Sequence, residues 1–299
     1  MTRYIIILAS VLLACRPAEP KVEGEKPLVV CTTDILSDAV SKLLPGCDVK
    51  ALMGPGIDPH LFKPGKRSLD LLQSADVIVG NGLYLEGRML AMLDKLSRNK
   101  PVYLLEAYIP EGRLLHPAGD PNVADPHVWM DASLYMVALE GLHKDLALEL
   151  ASCSEALAAR EYLQELDSLD KWIQRELEDL PSERRVLFST HHAFAYFGAA
   201  YGFRLLAVQG ISTAAEYGLK DIEMGIQGAI EMGAVSIFEE SGTSKRPVQA
   251  VIAGCKSRGY TLKEGGMLYV DALGGPNSQA ATYIEMMRYN VQTIKNALQ

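Results

Sequence analysis

Two rhythms alternate along this chain. Short apolar runs of strand length recur at 28–32, 49–53, 76–80 and 102–105, and again at 186–190, 204–209, 235–239 and 267–270. Between them lie stretches with apolar positions three and four apart, including 34–44, 87–97, 132–150, 219–232 and 247–258. Strands that alternate with helices predict βαβ units and parallel sheets. The two groups of four predict an α/β protein of two lobes, each a four-stranded, mainly parallel sheet flanked by helices. No close sequence repeat relates the halves, so the likeness is one of architecture.

The segment 154–180 separates the two groups. It holds no Gly or Pro, and Leu163, Leu166, Leu169, Ile173, Leu177 and Leu180 recur at helical spacing. Its 27 residues make a helix of roughly 40 Å, long enough to cross the back of both lobes. A stiff connection of this kind predicts small lobe movements rather than a wide hinge. The boundaries that follow are 27–153 for the first lobe, 154–180 for the backbone helix and 181–299 for the second lobe.

The N-terminus reads as a targeting segment. Arg3 precedes an apolar core over 5–14, about 15 Å as a helix and too short for a bilayer core of about 30 Å. It ends in Leu12-Leu13-Ala14-Cys15, which resembles a bacterial lipobox. On this reading 1–14 is a signal peptide, Cys15 carries the lipid, and 15–26 is a polar tether. Cys31, Cys47, Cys153 and Cys255 remain; without a CxxC they predict no thiolate metal site, and their pairing stays open. Cys31 falls in an apolar run and reads as a buried thiol.

Composition is that of a globular protein, 48% hydrophobic and 22% charged over 299 residues, and the net charge is −8. That charge argues against nucleic acid as a partner and suits a site for a cation.

The candidate chemistry stands at the strand ends. Gly56-Ile-Asp-Pro-His60, Asp125-Pro-His127-Val-Trp-Met-Asp131, Thr190-His191-His192 and Val270-Asp271 each follow an apolar run. Ligands of open α/β sheets gather outside the carboxyl ends of the strands. Three imidazoles and one carboxylate brought together there make an N3O site for a divalent transition metal. Singly, each has a plainer explanation: a surface histidine at 60, a packing loop around Trp129 at 127, a turn cap at Asp271. Of the adjacent pair His191 and His192, one faces the site. His116 lacks a strand-end context, and His143 falls mid-helix on a solvated face. Asp131 reads as the N-cap of the helix that follows. No HExxH or GxSxG is present, and Arg67 follows Gly65-Lys66 where a P-loop requires Ser or Thr. Four protein ligands leave no open position for a catalytic water, although Glu239 and Glu240 at a strand end offer a base.

With these residues in place, the chain resembles the metal-binding lipoproteins of bacterial ABC importers, the zinc, manganese and iron solute-binding family. The resemblance rests on the lipobox at Cys15, Gly56-Ile-Asp-Pro-His60, Asn81-Gly-Leu-Tyr-Leu-Glu86, Asp125-Pro-His-Val-Trp129, His191-His-Ala-Phe-Ala-Tyr-Phe197, Gly210-Ile-Ser-Thr213 and Val270-Asp-Ala-Leu273. It implies two α/β lobes on a backbone helix, a metal held by His60, His127, His191 and Asp271, and a lipid-anchored monomer on the extracytoplasmic or periplasmic side. It also implies delivery of Zn2+, Mn2+ or Fe2+ to a permease with its ATPase. Zinc-dedicated members often carry a His-rich loop between the first two ligands, whereas 108–126 holds only His116 here. Manganese-preferring members often have Glu at the position of His191, and many members have Asp where His192 stands. Competing readings are a surface adhesin with a structural metal, a metallohydrolase, and a two-lobed binder of a metal chelate.

Overall fold

The computed structural model describes residues 26–117, 122–215 and 217–299. The signal segment, Cys15 and nearly all of the tether lie outside the described residues.

Among the described residues, eight strands form two sheets. The first contains β1 (Leu28–Thr33), β2 (Asp48–Met53), β3 (Val77–Gly80) and β4 (Val102–Leu104) in the order β2-β1-β3-β4. The second contains β5 (Val186–His191), β6 (Arg204–Gln209), β7 (Ser236–Glu240) and β8 (Lys263–Leu268) in the order β6-β5-β7-β8. Every pairing is parallel, so both sheets follow one topology. Parallel strands covered on both faces must be apolar on both, which is why they read as unbroken runs. Val29 and Cys31 of β1 face the main core, while Val30 between them meets Leu72, Ile78 and Leu93 on the other side.

The first lobe carries α1 (Asp34–Leu43), α2 (Lys66–Ser74), α3 (Leu90–Ser97) and α4 (Ala132–Glu149). The second carries α6 (Ala195–Tyr201), α7 (Leu219–Met232), α8 (Arg246–Ser257) and α9 (Tyr283–Leu298). Between them α5 (Ala156–Glu178) runs for 23 residues, two shorter at each end than the apolar spacing predicts. Its Leu166, Leu169, Ile173 and Leu177 are buried in a core that also takes in Leu36 and Val40 of α1, Leu139 of α4, and Met286 and Val291 of α9. One apolar cluster therefore runs through both lobes. Asp131 caps α4 as expected, accepting from the Leu134 amide at 3.0 Å.

Two expectations need correction. The last strand is 263–268, not 267–270. Its Gly265 lies under Phe238, where a Cβ would come within 2.6 Å of the ring, and Gly266 has φ of +105° beside a register irregularity opposite Ile237 and Glu239. An edge strand with two glycines and a bulge shows turn signals in place of an apolar run. The terminal helix begins at Tyr283, where Thr282 and Glu285 form a capping box. His143 is half-buried with its Nε2 lacking a hydrogen-bond partner, not solvated. The open question of the cysteines resolves into one pair. Cys47 and Cys153 are disulfide-bonded with their Cα atoms 5.2 Å apart, and Cys31 and Cys255 are free and buried.

Candidate metal centre

The four strand-end candidates meet at one point. His60 lies in the loop after β2, His127 just before the turn Val128–Met130 that leads into α4, His191 at the last position of β5, and Asp271 three residues beyond β8. One donor atom from each lies within 4.8 Å of all the others. His127 Nε2 is 3.3 Å from both His60 Nε2 and His191 Nε2. Asp271 oxygens stand 3.5 Å from His127 Nε2 and His191 Nε2, and 3.7 Å from His60 Nε2. A four-coordinate ion with metal–nitrogen bonds of about 2.0–2.1 Å sets its donors roughly 3.3 Å apart, so these separations fit such an ion. His192 stays outside the cluster, its Nδ1 3.9 Å from Asp125 Oδ2.

Carboxylates orient two of the imidazoles. Asp125 Oδ1 accepts from both the His127 amide, at 2.9 Å, and His127 Nδ1, at 2.7 Å. Glu240 does the same for His191, with Oε1 on its amide at 2.9 Å and Oε2 on its Nδ1. Each Nδ1 donates its proton away from the centre, which aims Nε2 inward and, once that atom is deprotonated, raises its basicity as a ligand. His60 is aimed through its backbone, whose amide donates to Asp58 Oδ1 at 2.8 Å.

The loop bearing Asp271 is tied to the first lobe on both sides. Trp129 Nε1 donates to the Val270 carbonyl at 2.8 Å, and the Leu273 amide donates to both oxygens of Asp34 at 3.1 and 3.2 Å. Burial pushes the Asp34 carboxyl up to about 6 despite that bond.

The centre is dry, and its electrostatics are divided. The three imidazoles are at most 2% exposed, and Asp271 is 11% exposed. Burial, reinforced by His127 and His191, lowers His60 to about 2. Burial lowers His191 too, but Glu240 and Asp271 outweigh it and raise that imidazole to about 9. Burial raises Asp271 above the usual carboxylate range, and its buried Oδ1 has no hydrogen-bond partner. Inward lone pairs beside an unsatisfied carboxylate oxygen are costly without a cation among them.

Asp125 and Glu240 are the working residues that sequence reasoning did not assign. Asp125 stood two places before His127, and Glu240 ended a strand as a candidate base. Their roles depend on pairing across space, 49 residues apart for Glu240 and His191.

Comparison with known proteins decides the family. The model of the zinc-uptake complex component A, periplasmic, matches residues 29–297. The chain belongs to that family. Among its relatives, the zinc-uptake component family includes the manganese-binding lipoprotein MntA of Bacillus subtilis, 38% identical over 274 residues, 90% of this chain and 89% of MntA. The zinc-binding protein TroA of Treponema pallidum is 36% identical over 276 residues, 91% of this chain and 89% of TroA. The solved structure of the periplasmic zinc-binding protein TroA superposes with a TM-score of 0.87 at 35% identity, covering 91% of this chain and 99% of that one. Two parallel four-stranded sheets on a connecting helix are thus the family fold, as the sequence led one to expect.

Proposed function

We propose that this chain captures one divalent transition metal ion, Zn2+, Mn2+ or Fe2+, between its lobes outside the cytoplasm and hands it to an ABC permease. His60, His127, His191 and Asp271 are the ligands. The observation that carries this reading is the convergence of three Nε2 atoms and a carboxylate, two of the imidazoles being locked by carboxylates of their own. The family and its zinc- and manganese-binding relatives support it.

A three-nitrogen, one-oxygen donor set ranks Zn2+ above Fe2+ and Mn2+ by affinity alone, so metal supply in the envelope decides the cargo. Capture fits better than hydrolysis. Four protein donors close the coordination sphere. Glu240 commits both oxygens to His191, and Glu239 pairs with Lys245, so neither carboxylate is free to serve as a base. No helix among the described residues is long and apolar enough to cross a membrane; anchoring is assigned to a lipid on Cys15, and the working unit is one chain.

Substituting His60→Ala or Asp271→Ala in the mature protein should weaken zinc and manganese binding by more than about 100-fold, beyond what loss of an outer partner costs. Titration calorimetry reads the change, and parental affinity in either variant removes that ligand from the assignment. Elemental analysis of protein from its native envelope identifies the cargo. Loss of metal uptake on gene deletion, restored by added metal, separates transport from adhesion.

A further inference from the structure

The ligand loop of the first lobe is gripped from the second. Asp58, two residues before His60, uses its two oxygens in opposite directions: Oδ1 accepts from the His60 amide at 2.8 Å, and Oδ2 accepts from the Thr213 hydroxyl at 2.5 Å. Thr213 lies 155 residues further on, in the loop after β6 of the second lobe. A second contact stands beside it. Gly242, in the turn after β7, has φ of +81° and lies so close to the Gly56 carbonyl that a Cβ there would come within 3.0 Å of it. The segment 54–60 is therefore touched by two loops of the opposite lobe. His127 and His191 are oriented through their own Nδ1 atoms, whereas His60 is oriented through this backbone contact.

We propose that Thr213, acting through Asp58, is a positioning residue that holds His60 on the captured ion and sets how fast the ion leaves. The proposal rests on the capture reading above. When the hydroxyl releases Asp58, the 54–60 loop loses its tie to the second lobe, and His60 is the first imidazole free to swing off. A neutral hydroxyl on a carboxylate makes one of the stronger hydrogen bonds a protein offers, and the pair is half-buried. Gly210-Ile-Ser-Thr213, a motif that supplies no donor to the cluster, gains a role on this reading.

The test uses the mature protein loaded with Zn2+ or Mn2+ and mixed rapidly with excess chelator. Thr213→Val keeps the shape and removes the hydroxyl; Thr213→Ser keeps the hydroxyl. Release should be about tenfold faster, or more, in Thr213→Val and near the parental rate in Thr213→Ser. The metal-free melting temperature should fall by no more than a few degrees in either variant, so a change in release is not a change in folding. Combining Thr213→Val with Asp58→Ala should give no more acceleration than Asp58→Ala alone, because Asp58→Ala already removes the oxygen that the hydroxyl holds. Parental release in Thr213→Val, equal acceleration in Thr213→Ser, or fully additive effects in the double variant would overturn the proposal. A parent protein that binds neither metal sinks the capture reading instead.

Discussion

His60 and His191 share one cluster yet hold protons very differently. At neutral pH, burial and its neighbours keep His60 neutral, so it presents a lone pair at no cost in proton release. His191, raised to about 9 by Glu240 and Asp271 against its burial, carries a proton in the metal-free site. An incoming ion has to displace that proton, since imidazole coordinates only when neutral. The sign follows: affinity grows as pH rises, by about tenfold per unit below pH 9, and levels off above it. Calorimetry at pH 7 in buffers of different ionisation heats should show about one proton released per ion bound. Release of none would mean that Glu240 does not hold His191 protonated.

At the scale of elements, the buried parallel strands were the most legible part. β1 and β5 lie inside their sheets and bury side chains on both faces, so 28–32 and 186–190 stand out without knowledge of partners; 49–53 and 204–209 mark the part-buried edge strands β2 and β6, and all four fall within a residue of the true ends. The helix at 219–232 coincides with α7, with Gly233 at φ +71° ending it. What sequence could not show depends on contacts made across the chain. β8 is an edge strand whose Gly265 makes room for Phe238, and it ends at Leu268, so Asp271 sits in a loop beyond it instead of at its tip. His60, His191 and Asp271 were readable because they stand at or shortly after the end of a strand, and His127, 23 residues beyond β4, through its Asp-Pro-His context; Asp125, Glu240 and Thr213 matter through partners that no spacing rule links to them. The Cys47–Cys153 bond belongs to this scale as well. It joins the chain just before β2 to the chain just after α4, 106 residues apart, whereas the donors lie beyond the opposite ends of the strands. Replacing both cysteines by serine should cost about 2–5 kcal/mol in stability while leaving zinc affinity within about twofold. Denaturation midpoints and binding isotherms measure the two separately; a large loss of affinity would show that the bond shapes the centre.

The whole molecule is held by a core that ignores the lobe boundary. Leu36, Leu139, Leu169, Tyr196, Phe238 and Met286 belong to one apolar cluster, although the sheets form separately. Cutting between lobes would expose that surface, at about 25 cal/mol for each Å². Fragments 27–153 and 181–299 should therefore fail to fold alone, and amide proton spectra lacking dispersion would show it. Two well-folded fragments would contradict the shared core. For the same reason, small-angle scattering curves with and without metal should nearly superimpose, since sheets locked to α5 cannot swing apart widely.

The exposure of Asp271 has a consequence for sequence in time. It alone among the four donors has appreciable contact with solvent. An ion that enters from the side on which Asp271 is exposed would pass that side chain before it reached the nitrogens behind. Whatever draws the cargo out would then approach from that same side, the one face of the cluster that the imidazoles leave open.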